Sequence, residues 1–267
     1  MRVEIHHSTK YHYRNPVLYS IQQVRLTPRA DSSQHVVNWN VQAPTKHTAK
    51  PDHFDNTVNT FTLNRSHSEL AIVATGVVDL LDLDHGYIKH WETQVNPFVF
   101  ASSTELTQAT DEMVQFSSVV SRMEMPFERR ILTLAHAVAD KVQYTKGSTT
   151  VADSAQVAFE NGKGVCQDHA HVMLACLRAH GIPARYVSGY RYSDSAPEFA
   201  SHAWVDVYNL DKHAWLSVDA THRSLAGENH CRLAVARDYS GAAPVRGIRS
   251  GGGKEQLEVD VQLRRLS

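Results

Sequence analysis

No apolar stretch in this sequence approaches the roughly 20 residues that a helix needs to span a bilayer, so no membrane segment is expected. Its first residues, MRVEIHHSTKYHYR, carry no apolar core of the kind found in signal peptides. Cysteine is scarce. Cys166, Cys176 and Cys231 are odd in number and are not spaced as a disulfide framework. A reducing, cytoplasmic setting is the simplest expectation. Neither sign of charge is in excess, with 27 Lys and Arg against 28 Asp and Glu. A nucleic-acid partner and an acidic disordered tail are therefore not expected. Internal repeats are absent. What is present is 42% hydrophobic residues over 267, enough for one large domain or two ordinary ones, and 17 His, which leaves metal chemistry to be decided by spacing.

The chain changes texture twice. Residues 1–95 read as an N-terminal antiparallel β domain. Val3, Ile5, His7, Thr9, Tyr11 and Tyr13 alternate with polar neighbours, a half-buried strand expected to end at Asn15-Pro16. More strand-like runs follow at 21–26, 36–41, 57–63 and 70–81, with Pro28, Pro44, Pro51 and Asp55-Asn56 between them. Residues 96–235 read as α+β. Ile131, Leu134, Ala135, Val138 and Val142 recur at helical spacing behind Pro126. A short helix is expected from Ser154 to Asn161, stopped by Gly162. Another starts at Cys166 and ends at Gly181, and strands follow at 184–191, 202–208 and 213–219. Residues 236–267 form a C-terminal extension. In it SGGGKE precedes a strand bearing Leu257, Val259, Val261 and Leu263, which is expected to complete a sheet, the N-terminal one being a candidate.

The stretch GKGVCQDHAHVMLACLRAHG concentrates the chemistry. Cys166, His169, His171 and Cys176 look like metal ligands in one dimension. On a helix, however, His171 lies about 140° from Cys166 and Cys176 about 10 Å from His169's turn. Four such residues do not converge on one tetrahedral ion, and no metal is expected. A buried structural thiol is the alternative, and it suits Cys176, set among Met173, Leu174 and Leu177. Cys166 differs. Gly162 and Gly164 permit sharp turns before it, and a thiol at a helix N-terminus meets the positive end of the macrodipole, which favours the thiolate. Free first-turn amides also suit an oxyanion.

A nucleophilic thiol needs a base. In SHAWVDVYNLDKHAWLSVDAT two strands flank NLDK, a four-residue hairpin loop. Pairing Tyr208 with His213 sets His202 opposite Asp219, where Cβ atoms lie about 5 Å apart. Asp219 then orients one imidazole nitrogen while the other faces Cys166. A bulge would shift this register, and a chance polar pair at the hairpin's open end is the plain alternative.

Cys in GVCQDHAH, His in SHAWVDVY and Asp in LSVDATH, in that order, resemble the bacterial transglutaminase-like superfamily. LRAHGIPARYVSGY, YHYRNPV, VRLTPR and ARDYSGAAPVRGI extend the likeness over nearly the whole chain. The resemblance implies a papain-like transglutaminase core behind an N-terminal antiparallel β domain, within an α+β fold. It makes Cys166 the nucleophile, His202 the general base and acid, and Asp219 the residue that orients His202. No cofactor is implied, and the expected partner is a peptide or protein substrate. Nothing in the sequence sets an oligomeric state. The family includes peptidases, amide hydrolases and cross-linking acyl transferases, so chemistry is implied more closely than substrate. Two departures stand out: His169 where the family more often has an aromatic ring, and Ala220 in place of proline in Asp-Pro-Thr.

Further cleft candidates are Gln167, His169, Tyr144 and Trp204, with packing the alternative for His169 and Trp204. Asp168 in the first helical turn reads as structural. Polar flanks from Gln167, His169 and the Ser193-Asp194-Ser195 loop predict a wet rim and hence hydrolysis of a thioester by water. Acyl transfer to an amine and a non-catalytic peptide-binding module are the alternatives.

Overall fold

The computed structural model describes residues 1–89, 95–194 and 201–266. Ser195 of the expected polar loop lies outside them. Among the described residues two antiparallel sheets carry the fold. The first has the order β2-β5-β1-β4-β3, from β1 (Arg2–Val24), β2 (Gln34–Gln42), β3 (Thr48–Pro51), β4 (Thr57–Leu63) and β5 (His67–Leu80). Two C-terminal strands, β14 (Val245–Gly251) and β15 (Glu255–Arg265), also pair with β1.

The strand expected to stop at Asn15-Pro16 instead runs on. Its register shifts between His12 and Val17, and its partners change there. The first half lies between β5 and β15, the second between β4 and β14. Proline is tolerated at such an irregularity because no ladder hydrogen bond is lost. The alternation predicted for the first half is realised: Val3, Ile5, His7, Thr9 and Tyr13 are buried.

The second sheet has the order β12-β11-β10-β9-β13, with β6 (Tyr87–Lys89) also on β11. Its strands are β9 (Ala184–Arg191), β10 (Ser201–Asn209), β11 (Ala214–Asp219), β12 (Ser224–Leu225) and β13 (His230–Ala236). Among the described residues five α-helices accompany it: α1 (Asp111–Phe116), α2 (Phe127–Lys141), α3 (Ala155–Asn161), α4 (Cys166–Ala179) and α5 (Tyr239–Ala242). The short parallel pair β7 (Gln143–Tyr144) and β8 (Lys163–Gly164) leads into α4. The termini follow local rules. The Ser154 hydroxyl caps α3, Gly162 ends it at φ 62°, and Gly181 follows α4 at φ 71°. Helix α4 packs on β9 and β10, and every residue from Gln167 to Arg178 is buried.

The sheets share a core. Tyr190, Cys231 and Leu233 of the second sheet pack into the cluster formed by the inner face of the first. Two amides fasten the contact where β13 bulges. Gln34 donates to the Arg232 carbonyl (2.9 Å) and accepts from the Arg232 N–H (2.7 Å), and Asn56 does the same with Val235 at 2.8 Å each way. Such pairing satisfies backbone groups that a bulge would otherwise strand. Among the described residues no helix is long and apolar enough to cross a membrane.

Candidate active site

Cys166 is the first residue of α4, and its thiol is partly exposed. The approach to it is tight. The Thr145 N–H donates to the Gly164 carbonyl (2.7 Å), and the Asp168 carboxylate accepts from the Val165 N–H and the Thr149 hydroxyl, each at 2.7 Å. A Cβ at position 164 would lie 2.6 Å from Asp168 Cβ, so only glycine admits this clasp. Asp168 thus holds the backbone that presents Cys166, consistent with its structural reading. Burial raises its pKa against those two hydrogen bonds.

His202 sits near the start of β10 and Asp219 at the end of β11, both buried. The hairpin register differs from the sequence expectation. Tyr208 pairs with Trp215 and Asn209 with Ala214, so the loop is Leu210 to His213, with His213 at φ 47°. Asp219 is therefore diagonal to His202 rather than directly opposite. A slip of two residues keeps both side chains on one face. His202 Nε2 donates to Asp219 Oδ2 at 2.8 Å, which leaves Nδ1 for Cys166. Burial disfavours a charged His202, but the Asp219 carboxylate and Cys166 outweigh it and raise the imidazole to about 10. Burial likewise opposes charge on Asp219, yet His202 and two more imidazoles hold its carboxyl well below the usual range.

Those two imidazoles, His222 and His230, escaped the sequence reading. His222 Nδ1 donates to Asp219 Oδ2 at 2.7 Å, and its N–H donates to Oδ1 at 3.2 Å. His230 Nε2 lies 3.1 Å from the same Oδ2. The Gly227 N–H donates to His230 Nδ1, so the proton of a neutral His230 is on Nε2, pointing at Asp219. Burial pushes His230 down to about 4, against the pull of Asp219. His222 had a signal in its position three residues after Asp219. His230 had none, because the chain crosses the sheet's end between β12 on one edge and β13 on the other. His202, Asp219 and His230 also form a group compact enough for an ion, with ligand atoms within 4.8 Å of one another. Both histidine Nε2 atoms already point their protons at the carboxylate.

The other sequence candidates separate. Gln167 lines a cavity of about 290 Å³ together with Cys166 and His202. Tyr144 is half exposed, and burial followed by the proximity of Cys166 raises its hydroxyl pKa. His169 is only 2% exposed and packs as a core group. Its Nε2 donates to the Val142 carbonyl (2.7 Å) and its Nδ1 accepts from Thr221 (2.9 Å). Trp204 is also buried. It donates to Ser217 Oγ at 3.0 Å and stacks behind His202 with centroids 6.0 Å apart. Neither His169 nor Trp204 is among the residues that line the cavity; of the expected polar rim, Gln167 does line it, and Ser195 lies outside the described residues. The four residues weighed as a zinc set do not meet. His171 accepts from the Tyr239 N–H, and the Cys176 thiol, pushed up to about 12 by burial, leans on the Met113 carbonyl.

Comparison with known proteins identifies the family and the fold. The profile of the transglutaminase-like superfamily matches residues 115–220. That of the bacterial transglutaminase-like N-terminal region matches residues 3–79. An uncharacterized protein of Mycobacterium leprae is 31% identical over 280 residues, covering 100% of this chain and 99% of its own length. A protein-glutamine gamma-glutamyltransferase of Pseudomonas aeruginosa is 35% identical over 106 residues, which is 35% of this chain and 16% of that protein. The solved structure of a candidate cysteine protease from Cytophaga hutchinsonii shares the fold. It has a TM-score of 0.78 at 20% identity, covering 100% of this chain and 91% of that one.

Proposed function

The chain belongs to the transglutaminase-like superfamily, a family of cysteine-dependent enzymes, and from that premise we propose that it hydrolyses amide or peptide bonds through a thioester on Cys166. The observation that carries this reading is the His202–Asp219 contact of 2.8 Å beside a cavity that also exposes Cys166.

Cys166 Sγ attacks the carbonyl carbon, and its proton resides on His202 Nδ1. The backbone amide of Cys166, at the N-terminus of α4, receives the oxyanion. His202 then protonates the departing amine as the C–N bond breaks, leaving the thioester. Water attacks next and gives a proton to His202. The C–S bond breaks, and a free carboxylate leaves. Asp219 makes no bond to substrate; it keeps Nδ1 aimed at Cys166 and stabilises the imidazolium.

Hydrolysis is preferred over acyl transfer because, among the described residues, no Asp or Glu lines the cavity to hold an incoming lysine amine. Water at about 55 M wins unless an amine is bound and oriented. An intact Cys-His-Asp set argues against a purely binding role. The reading includes a peptide or protein substrate and a reducing, cytoplasmic setting, which suits three unpaired thiols. The test supplies a cleaved peptide with millimolar primary amine and quantifies both products. Acid is expected to dominate, and Cys166→Ala to remove both. An excess of amide product would transfer the assignment to transglutaminase chemistry.

A further inference from the structure

The cavity at Cys166 is not built by the catalytic sheet alone. Cys166, His202 and Tyr186 form one side. The facing side comes from Thr9 and Tyr11 of β1 and from Leu257 and Val259 of β15. These four are neighbours in register, Thr9 across from Val259 and Tyr11 across from Leu257. The N-terminal sheet, closed by the last strand of the chain, therefore stands directly over the reactive thiol.

The character of this wall is uniform. Among the described residues no Lys, Arg, Asp or Glu lines the cavity. The histidine on the β side, His7, is neutral because burial pushes it down to about 4. Its two ring nitrogens are engaged by the Tyr190 hydroxyl at 2.7 Å and the Thr9 hydroxyl at 2.9 Å. A charged side chain lying against this wall would lose its hydration and meet no counter-ion on it among the described residues. The volume fits a definite guest. Cavities near 150 Å³ accept benzene, so about 290 Å³ admits one large apolar side chain with its adjoining backbone. At the mouth, Leu257 and Val259 remain 52% and 51% exposed, apolar surface that such a guest would cover.

We propose that this cavity is the specificity pocket, that it takes an aliphatic or aromatic side chain flanking the scissile carbonyl, and that the β domain supplies the selecting wall. The proposal rests on Cys166 being the nucleophile. It also assigns the β domain a task, reading the substrate.

The test uses peptidyl chloromethyl ketones that share one sequence and differ only at the residue bearing the warhead: Phe, Leu, Gln, Lys or Glu. Cys166 sulfur displaces chloride, a C–S bond replaces the C–Cl bond, and the thiol proton goes to His202. The readout is the rate of Cys166 alkylation, located by peptide mapping. Phe and Leu probes are expected to react at least about tenfold faster than Lys and Glu probes, the low end of what an apolar pocket discriminates. Val259→Lys and Leu257→Lys, both at exposed positions, should raise the Glu-to-Phe rate ratio by about tenfold, since each brings a counter-ion to the mouth. Equal rates for all probes at Cys166, a charged or Gln probe reacting fastest, or a ratio unmoved by both variants would overturn the pocket while leaving the nucleophile intact. No labelling of Cys166 by any peptide probe, with Cys166 no faster than Cys176 toward iodoacetamide, would overturn the nucleophile reading and this inference with it.

Discussion

Asp206 on β10 and Asp219 on β11 are both fully buried in the same sheet, and they are held in contrasting ways. Asp206 is clasped by two guanidinium groups, Arg185 at 2.8 Å and Arg232. Asp219 collects three imidazoles on one oxygen, with Arg191 only at the edge, 3.9 Å away. Arginine keeps its charge at every accessible pH, so the Asp206 cluster has one protonation state. Histidine can gain and lose its proton, so the Asp219 cluster can pass a proton and recover in the proposed reaction. Two carboxylates of equal burial are thus a brace and, in the proposed reaction, a catalytic support, and the partners distinguish them. Burial alone does not mark function; the titratability of what surrounds the charge does.

The sharpest way to break this comparison is to neutralise each carboxylate in turn. Asp219→Asn should cost turnover on the order of 10⁴, by analogy with the orienting aspartate of other triads, with only a modest loss of Tm. An unchanged kcat would mean that another group orients His202. Asp206→Asn should do the reverse. Removing the carboxylate from beside buried Arg185 should cost about 3–5 kcal/mol in denaturant-measured stability, while the Cys166 alkylation rate of the folded fraction holds.

The pH dependence of stability sharpens the contrast further. His202 is raised from 6.5 to about 10, so its contribution is complete below pH 6.5 and is lost as the pH climbs toward 10. His7, His171 and His230 are pushed down to about 4 by burial, so theirs is complete above pH 6.5 and is lost as the pH falls toward 4. Stability should peak near pH 6.5, with an alkaline slope from His202 of at most about 1.4 kcal/mol per pH unit. That slope should flatten in Asp219→Asn and persist in Asp206→Asn. Thermal melts from pH 5 to 9.5 would show it.

The smallest effects belong to the flanking imidazoles. His230→Gln removes a buried hydrogen bond to a charged group, worth about 1.5–3 kcal/mol, and should lower kcat by roughly 10- to 100-fold with KM little changed. His222 is 37% exposed, and solvent discounts its contact. His222→Ala should cost only a few-fold. If the two variants behaved alike, burial would not be grading these contacts.

Local signals carried much of this architecture into the sequence. Helical spacing, the Ser154 cap and the Gly162 and Gly181 stops located α2, α3 and α4 to within a residue or two. Strict alternation revealed the inward face of β1. The failures are non-local or conformational. Asn15-Pro16 read as a stop because a sequence does not disclose that the strand changes partners there. The hairpin register slipped because His213 takes a left-handed conformation inside the turn. Parity survived that slip, so His202 and Asp219 were still rightly brought together. His169 and Trp204 look like cleft residues in a motif and prove to be packing groups. His230 reaches Asp219 only through a crossover of the sheet's end, and the wall over Cys166 unites residues from opposite ends of the chain.

The central claim is that Cys166 alone is the reactive thiol. Cys176 is pushed up to about 12 by burial, Cys231 is pushed up further still, and both are walled off from solvent. Iodoacetamide alkylation of each cysteine, followed by peptide mapping between pH 5 and 9, measures this directly. The account predicts that Cys166 reacts on the order of 10³ faster than the other two across that range. Equal rates at all three thiols, or a fastest rate at Cys176, would contradict it.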